Sequence, residues 1–221
     1  MSRPALPCPP LLVISDRNVA RRPLEEVAQA AFAGGCRWFS LREKDLAAPE
    51  RRALLARLVT IGAAFGALVG VHEDVAAAEA AGAGAVHLPA GGNIAQARAR
   101  LPRALVGASA HSAPEAAALL AAGADYVSLS PIFLTQSKPG YGPALGIEGL
   151  GRAAALGPIV ALGGVGAANA ALCLAAGARG VAVMGEVMRA ADPQSAVREI
   201  LAALGQINLR AHHNNSSALM V

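Results

Sequence analysis

The chain predicts a single-domain α/β fold, a (β/α)8 (TIM) barrel. Eight short apolar runs alternate with Ala-rich helical stretches along its 221 residues, the pattern of βαβ units and a parallel sheet. The runs are apolar at nearly every position, as strands buried on both faces must be. A Gly-to-strand phrase also repeats. Ala81-Gly82-Ala83-Gly84-Ala85-Val86-His87-Leu88 echoes Ala122-Gly123-Ala124-Asp125-Tyr126-Val127-Ser128-Leu129 and Ala176-Gly177-Ala178-Arg179-Gly180-Val181-Ala182-Val183. In each copy a glycine ends a helix just before a strand.

In chain order the strands are expected at 11–16, 37–42, 67–72, 85–88, 105–108, 126–130, 159–162 and 180–184. Between them lie helical patterns such as 24–32, 49–65, 114–122 and 167–176. After strand eight, residues 185–190 suit a short extra helix. Asp192-Pro193 then starts the last barrel helix, with Asp at the cap and Pro in the first turn. A doubly wound sheet would need a glycine-rich turn after strand one, and Ser15-Asp16-Arg17-Asn18 is none. The barrel is expected over residues 1–206, and the polar, unpatterned stretch 207–221 reads as a disordered tail.

Composition narrows the function classes. Hydrophobic residues make up 54% and charged residues 15%, which excludes a disordered chain and favours a large core. Aromatics are only 3%, so that core must be built from Ala, Val and Leu. No apolar stretch is long enough to cross a membrane and the first residues lack a signal h-region, so a cytoplasmic protein is expected. Cys8, Cys36 and Cys173 form no CxxC pair, indicating neither disulfides nor zinc. The net charge of +4 comes without a dense basic run, so a phosphorylated small molecule is a better partner than nucleic acid. A homo-oligomer remains open.

The basic residues are 17 Arg but only two Lys, Lys44 and Lys138. Both fall after strands, on the face where barrels of this class carry their chemistry. Arg42 and Lys44 follow strand two, Ser109 and His111 strand five, and Gly163-Gly164 and Gly185 strands seven and eight. Loops after strands seven and eight commonly bind phosphate through backbone N–H groups. The segment 133–146, with Thr135, Ser137 and Lys138, reads as a lid over an anion. His111 can give up and take a proton near neutral pH. His87, inside an apolar strand, reads as a satisfied core residue, and Glu73-Asp74 as caps of the following helix.

Several ordered runs carry a resemblance: Leu41-Arg42-Glu43-Lys44, Gly107-Ala108-Ser109-Ala110-His111, Gly123-Ala124-Asp125-Tyr126-Val127, Pro131-Ile132-Phe133 with Thr135 and Lys138, and Ala161-Leu162-Gly163-Gly164-Val165. From strand one to the last helix the chain resembles the thiamin phosphate synthase and TenI family. In the synthases a hydroxymethylpyrimidine pyrophosphate ionises and a thiazole phosphate captures the cation. The resemblance implies that Arg42, Lys44, Ser109, Thr135 and Lys138 hold the departing pyrophosphate. It also implies that Gly164 and the strand-eight turn hold the thiazole phosphate. Synthases share that charge with Mg²⁺ held by an Asp after strand three and another after strand four. Here those places read Glu73 and Gly92, so no tight metal site is expected.

The missing ligand and the Leu88-Pro89 run tilt the resemblance toward the TenI branch. That branch is known for a metal-free thiazole tautomerase, which moves a proton to aromatise a thiazole carboxylate phosphate. His111 matches its acid/base histidine, a position where synthases also carry His. The expectation is therefore a tautomerase using His111, Lys44 and Lys138, with the Mg²⁺-dependent synthase as the alternative. A non-catalytic phosphate-ligand binder is the reading of another class.

Overall fold

The structure is a computed structural model that describes residues 5–134 and 143–217, with side chains of the last helix through residue 205. Eight parallel strands close into a barrel in strict sequence order, the last pairing with the first. They are β1 (Leu11–Ile14), β2 (Trp38–Leu41), β3 (Leu68–His72), β4 (Ala85–Leu88), β5 (Leu105–Ala110), β6 (Tyr126–Leu129), β7 (Ile159–Ala161) and β8 (Gly180–Val183). The helices are α1 (Leu24–Ala33), α2 (Ala48–Ala63), α3 (Val75–Ala81), α4 (Ile94–Arg100), α5 (Ala113–Ala121), α6 (Gly146–Ala154), α7 (Ala170–Ala175), α8 (Gly185–Met188) and α9 (Pro193–Ser217). The predicted barrel is observed. Most strands are shorter than their apolar runs, because the run's last residues already form the mouth loop. Strand four keeps its expected bounds, and strand five extends to Ala110. The α9 backbone takes in much of the segment read above as a tail.

Side-chain alternation sorts the core into two layers. On β1, Leu11 and Val13 pack outward against the helices, while Leu12 and Ile14 point into the barrel. The barrel interior is filled by Leu12, Ile14, Trp38, Ala85, Leu105, Tyr126, Val160 and Ala182, with Leu6 packed against them. Trp38 and Tyr126 meet edge to face at 4.8 Å between ring centres, so two large rings do much of the filling. Gly107 makes this possible: a Cβ there would overlap the Tyr126 ring.

Helix starts follow their caps. Asp74 accepts from the Ala77 N–H at 2.8 Å, Asn93 from Gln96 at 2.9 Å, and Asp192 from Gln194 and Ser195. Asp74 also pairs with Arg51 at 2.8 Å. Burial pushes its carboxyl up, but the Arg51 guanidinium and the Ala77 N–H outweigh this and hold it below the ordinary range. The helix-capping role read for Asp74 is observed. Glu73 does something else: it sits at φ +66° and pairs with Lys44.

Candidate active site

The strand ends open into one cavity of about 910 Å³. Its lining joins Arg42, Lys44, Ser109 and His111 on one side to Gly163, Gly164, Gly185, Glu186 and Arg189 on the other. Seven residues singled out in the sequence are thus brought together. Thr135, Ser137 and Lys138 lie outside the described residues. What is described of the 133–146 segment is tied down: Phe133 N–H donates to Gly163 O and Gly146 N–H to Ile132 O, at 2.9 and 3.0 Å.

The strand-seven and strand-eight corner is a backbone device. Gly163 and Gly164 take φ of +92° and +65°, a region open to glycine at little cost. A Cβ on Gly164 would lie 2.6 Å from the Leu134 carbonyl oxygen, so this turn is also closely packed. The N–H groups of Gly163, Gly164 and Val165 donate to no acceptor among the described residues. Gly185 and Glu186 open α8, and the first N–H groups of a helix have no partner within it. These five residues, whose N–H groups have no acceptor among the described residues, all line the cavity. Sequence reasoning missed Arg189, whose guanidinium lies over Gly185 in the space a side chain there would fill. The signal was an Arg four residues past a strand-end glycine, one helical turn on.

The opposite wall uses side chains. Arg42 is fixed at its backbone, where its N–H donates to Ser15 Oγ at 2.8 Å. Ser15 in turn donates to Glu43 at 2.6 Å, and Glu43 also accepts from the Arg17 N–H. Glu43 is thus a buried tie between the first two loops, with its carboxylate already engaged. Lys44 reaches the wall's edge and pairs with Glu73.

His111 follows β5, and its Nδ1 lies 2.9 Å from the Ser130 carbonyl oxygen. A carbonyl only accepts, so Nδ1 carries the hydrogen, and in the neutral ring the lone pair is on Nε2. His87 behaves as the sequence suggested, buried and bonded through both ring nitrogens. Burial, reinforced by Arg42 and Lys44, pushes it down to about 3, so it stays neutral. Burial likewise pushes His72 down, with help from His87, Arg42 and Lys44.

A model of the family described as thiamine monophosphate synthase matches residues 11–187. The chain belongs to that family, which includes the TenI branch. It is 39% identical over 199 residues to a putative thiamine-phosphate synthase of Geobacter sulfurreducens, covering 88% of this chain and 93% of the relative. To the thiamine-phosphate synthase of Methanoculleus marisnigri it is 40% identical over 195 residues, covering 86% and 92%. A solved thiamine phosphate pyrophosphorylase from Pyrococcus furiosus superposes with a TM-score of 0.81 at 30% identity, covering 89% of this chain and 96% of that one. These findings place the protein among thiamin biosynthesis enzymes. They favour the synthase alternative over the tautomerase expected from the sequence, without separating the branches. No helix among the described residues is long and apolar enough to cross a membrane.

Family membership implies Mg²⁺, an ion that takes oxygen ligands. The donors here do not fit a protein-held Mg²⁺ site. Glu73 is engaged by Lys44, the strand-four loop reads Pro89-Ala90-Gly91-Gly92-Asn93, and the Asn93 side chain caps α4. No three His, Cys, Asp or Glu side chains cluster for a metal among the described residues.

Proposed function

We propose that the protein is a thiamine-phosphate synthase. It joins a hydroxymethylpyrimidine pyrophosphate to a thiazole phosphate and releases pyrophosphate. One observation carries this reading: a single cavity holds two anion-binding walls of different construction. The backbone donors of Gly163, Gly164, Val165, Gly185 and Glu186 suit a compact phosphate monoester. The cationic wall of Arg42, Lys44 and Ser109 suits the more highly charged pyrophosphate. A tautomerase handles one phosphate and needs only the first wall.

In the reaction the C–O bond between the pyrimidine methylene and pyrophosphate breaks, and both electrons leave with pyrophosphate. The thiazole ring nitrogen then bonds to the cationic methylene carbon. The chain's own work is electrostatic: Arg42, Lys44 and the Ser109 hydroxyl stabilise charge building on the leaving group. The glycine corner holds the thiazole phosphate so that its ring faces that carbon.

The tautomerase remains a second reading because His111 lines the cavity with its Nδ1 held by the Ser130 carbonyl, and no carboxylate cluster for Mg²⁺ lies among the described residues. Purified protein incubated with both phosphorylated substrates, with Mg²⁺ and with chelator, decides between them. Thiamin phosphate formation is expected. Its absence, with conversion of a thiazole carboxylate phosphate that is lost in His111→Ala, would make the tautomerase reading correct.

A further inference from the structure

Apart from Ser109, the polar cluster beneath the cationic wall plays no part in the mechanism above. His87 on β4 lies with its Nδ1 3.0 Å from the Tyr126 hydroxyl, and its Nε2 2.9 Å from Ser109 Oγ and 3.1 Å from Ser128 Oγ. His87, Tyr126 and Ser128 are all buried, and Ser109 lines the cavity. The arrangement is built into the barrel at some distance in sequence. Gly107 leaves room for the Tyr126 ring, and that ring carries its hydroxyl to His87.

Hydrogen accounting gives the cluster a direction. The Tyr126 hydroxyl is protonated, since burial raises it far above the working range, and it has no other acceptor among the described residues. It therefore donates to Nδ1, which leaves the hydrogen of the neutral imidazole on Nε2. Nε2–H donates to Ser109 Oγ and Ser128 Oγ. With a lone pair of Ser109 occupied from below, its own O–H is left to point at the cavity. Each donor polarises the next.

We propose that His87 is a positioning residue, which holds the Ser109 hydroxyl as a hydrogen-bond donor toward the pyrophosphate. This rests on the proposed role of Ser109 as a pyrophosphate ligand. It extends that role to a residue that reaches no ligand itself. The chain Tyr126 to His87 to Ser109 presents a donor hydroxyl at a fixed angle without placing another charge in the cavity. A lysine or arginine at position 87 would instead bury a cation in the barrel interior, at high cost.

The test is a double-mutant cycle read by calorimetry with inorganic pyrophosphate, together with kcat and KM. Ser109→Ala is expected to weaken pyrophosphate about tenfold, the scale of one hydrogen bond to a charged group. His87→Leu should cost a similar factor in the wild type but less than about twofold in the Ser109→Ala background, since the shared interaction is already gone. His87→Gln can place an amide N–H near the lost Nε2–H. It should stay within about threefold of wild type and covers the case in which His87→Leu folds poorly. The loss should fall on pyrophosphate affinity and kcat, with KM for the thiazole phosphate unmoved. Additive losses in the cycle, with or without a lower melting temperature, overturn the proposal and leave a structural histidine. So does a His87→Gln variant as weak as Ser109→Ala. A wild type that binds no pyrophosphate overturns the proposal together with the synthase reading, whereas additive losses overturn the proposal alone.

Discussion

On the proposed reading, the two sides of the barrel mouth would hold negative charge by opposite means. At the β7 and β8 corner the donors are backbone N–H groups, fixed by two left-handed glycines and a helix start. Across the cavity the donors are Arg42, Lys44 and Ser109, held by ties that run between loops and down into the barrel. Backbone donors lose no side-chain entropy when a ligand arrives and cannot be replaced by mutation, only blocked. Side-chain donors adapt to a larger anion, and any one of them can be removed. The first wall should therefore fail by sterics and the second by loss of charge.

The largest effects come from breaking each wall in its own way. Gly164→Val forces a branched side chain into φ +65° and against the Leu134 carbonyl, 2.6 Å from where its Cβ would sit. Misplacing a bound substrate by about 1 Å can cost on the order of 10²-fold in rate. Activity should fall by that order, and affinity for thiazole phosphate should collapse while inorganic pyrophosphate still binds. Arg42→Ala should do the reverse, weakening pyrophosphate by about 10–100-fold and leaving thiazole phosphate within a few-fold. Calorimetry with both ligands on both variants checks the pair. Equal loss of both ligands in either variant would mean that the two walls form a single anion site.

This contrast also explains what the sequence could and could not tell. The barrel was legible because eight apolar runs separated by Ala-rich helices admit few other topologies. The glycine corner was legible because Gly163-Gly164 and Gly185 end strands where backbone donors are useful. Ser109, His111, Arg42 and Lys44 were legible as polar residues just past strands. Arg189 was not, because it stands on a short helix away from any strand end and folds back over Gly185. Glu43 was legible only as part of the Leu41-Arg42-Glu43-Lys44 run. That it is a buried tie depends on Ser15 and Arg17, 28 and 26 residues away in sequence. The choice of branch was tilted by one missing carboxylate at Gly92, a local signal, against relatives aligned over nearly the whole chain.

The floor beneath the cationic wall sets a second expectation. Free imidazole takes its proton near pH 6.5, whereas burial, with Arg42 and Lys44 nearby, pushes His87 down to about 3. Between these values the unfolded chain binds more protons than the folded one, so stability falls as pH drops from about 6.5 toward 3. His72 is pushed in the same direction, chiefly by burial. Denaturant melts from pH 7.5 to 4.5 should show acid destabilisation starting near 6.5, above the range where carboxylates titrate. His87→Gln should lower the slope by up to about 1.4 kcal/mol per pH unit. A slope unchanged in that variant would show that the ring is protonated in the folded barrel.

The smallest effect belongs to Arg189, where the two strategies meet. It is a side chain placed within the backbone corner, its guanidinium over Gly185 and without a hydrogen-bond or ion-pair partner among the described residues. Being exposed, it can contribute only a screened attraction to a phosphate held mainly by N–H groups. Arg189→Ala should weaken thiazole phosphate by about fivefold at low salt and by less at high salt, with pyrophosphate affinity unchanged. Arg189→Lys should recover part of the loss, because a point charge supplies the long-range attraction without the planar fork. Measuring both variants across ionic strength separates the alternatives. A loss that persists at high salt would make Arg189 a direct ligand that closes over the phosphate. No loss at any salt would leave the corner to its backbone donors alone.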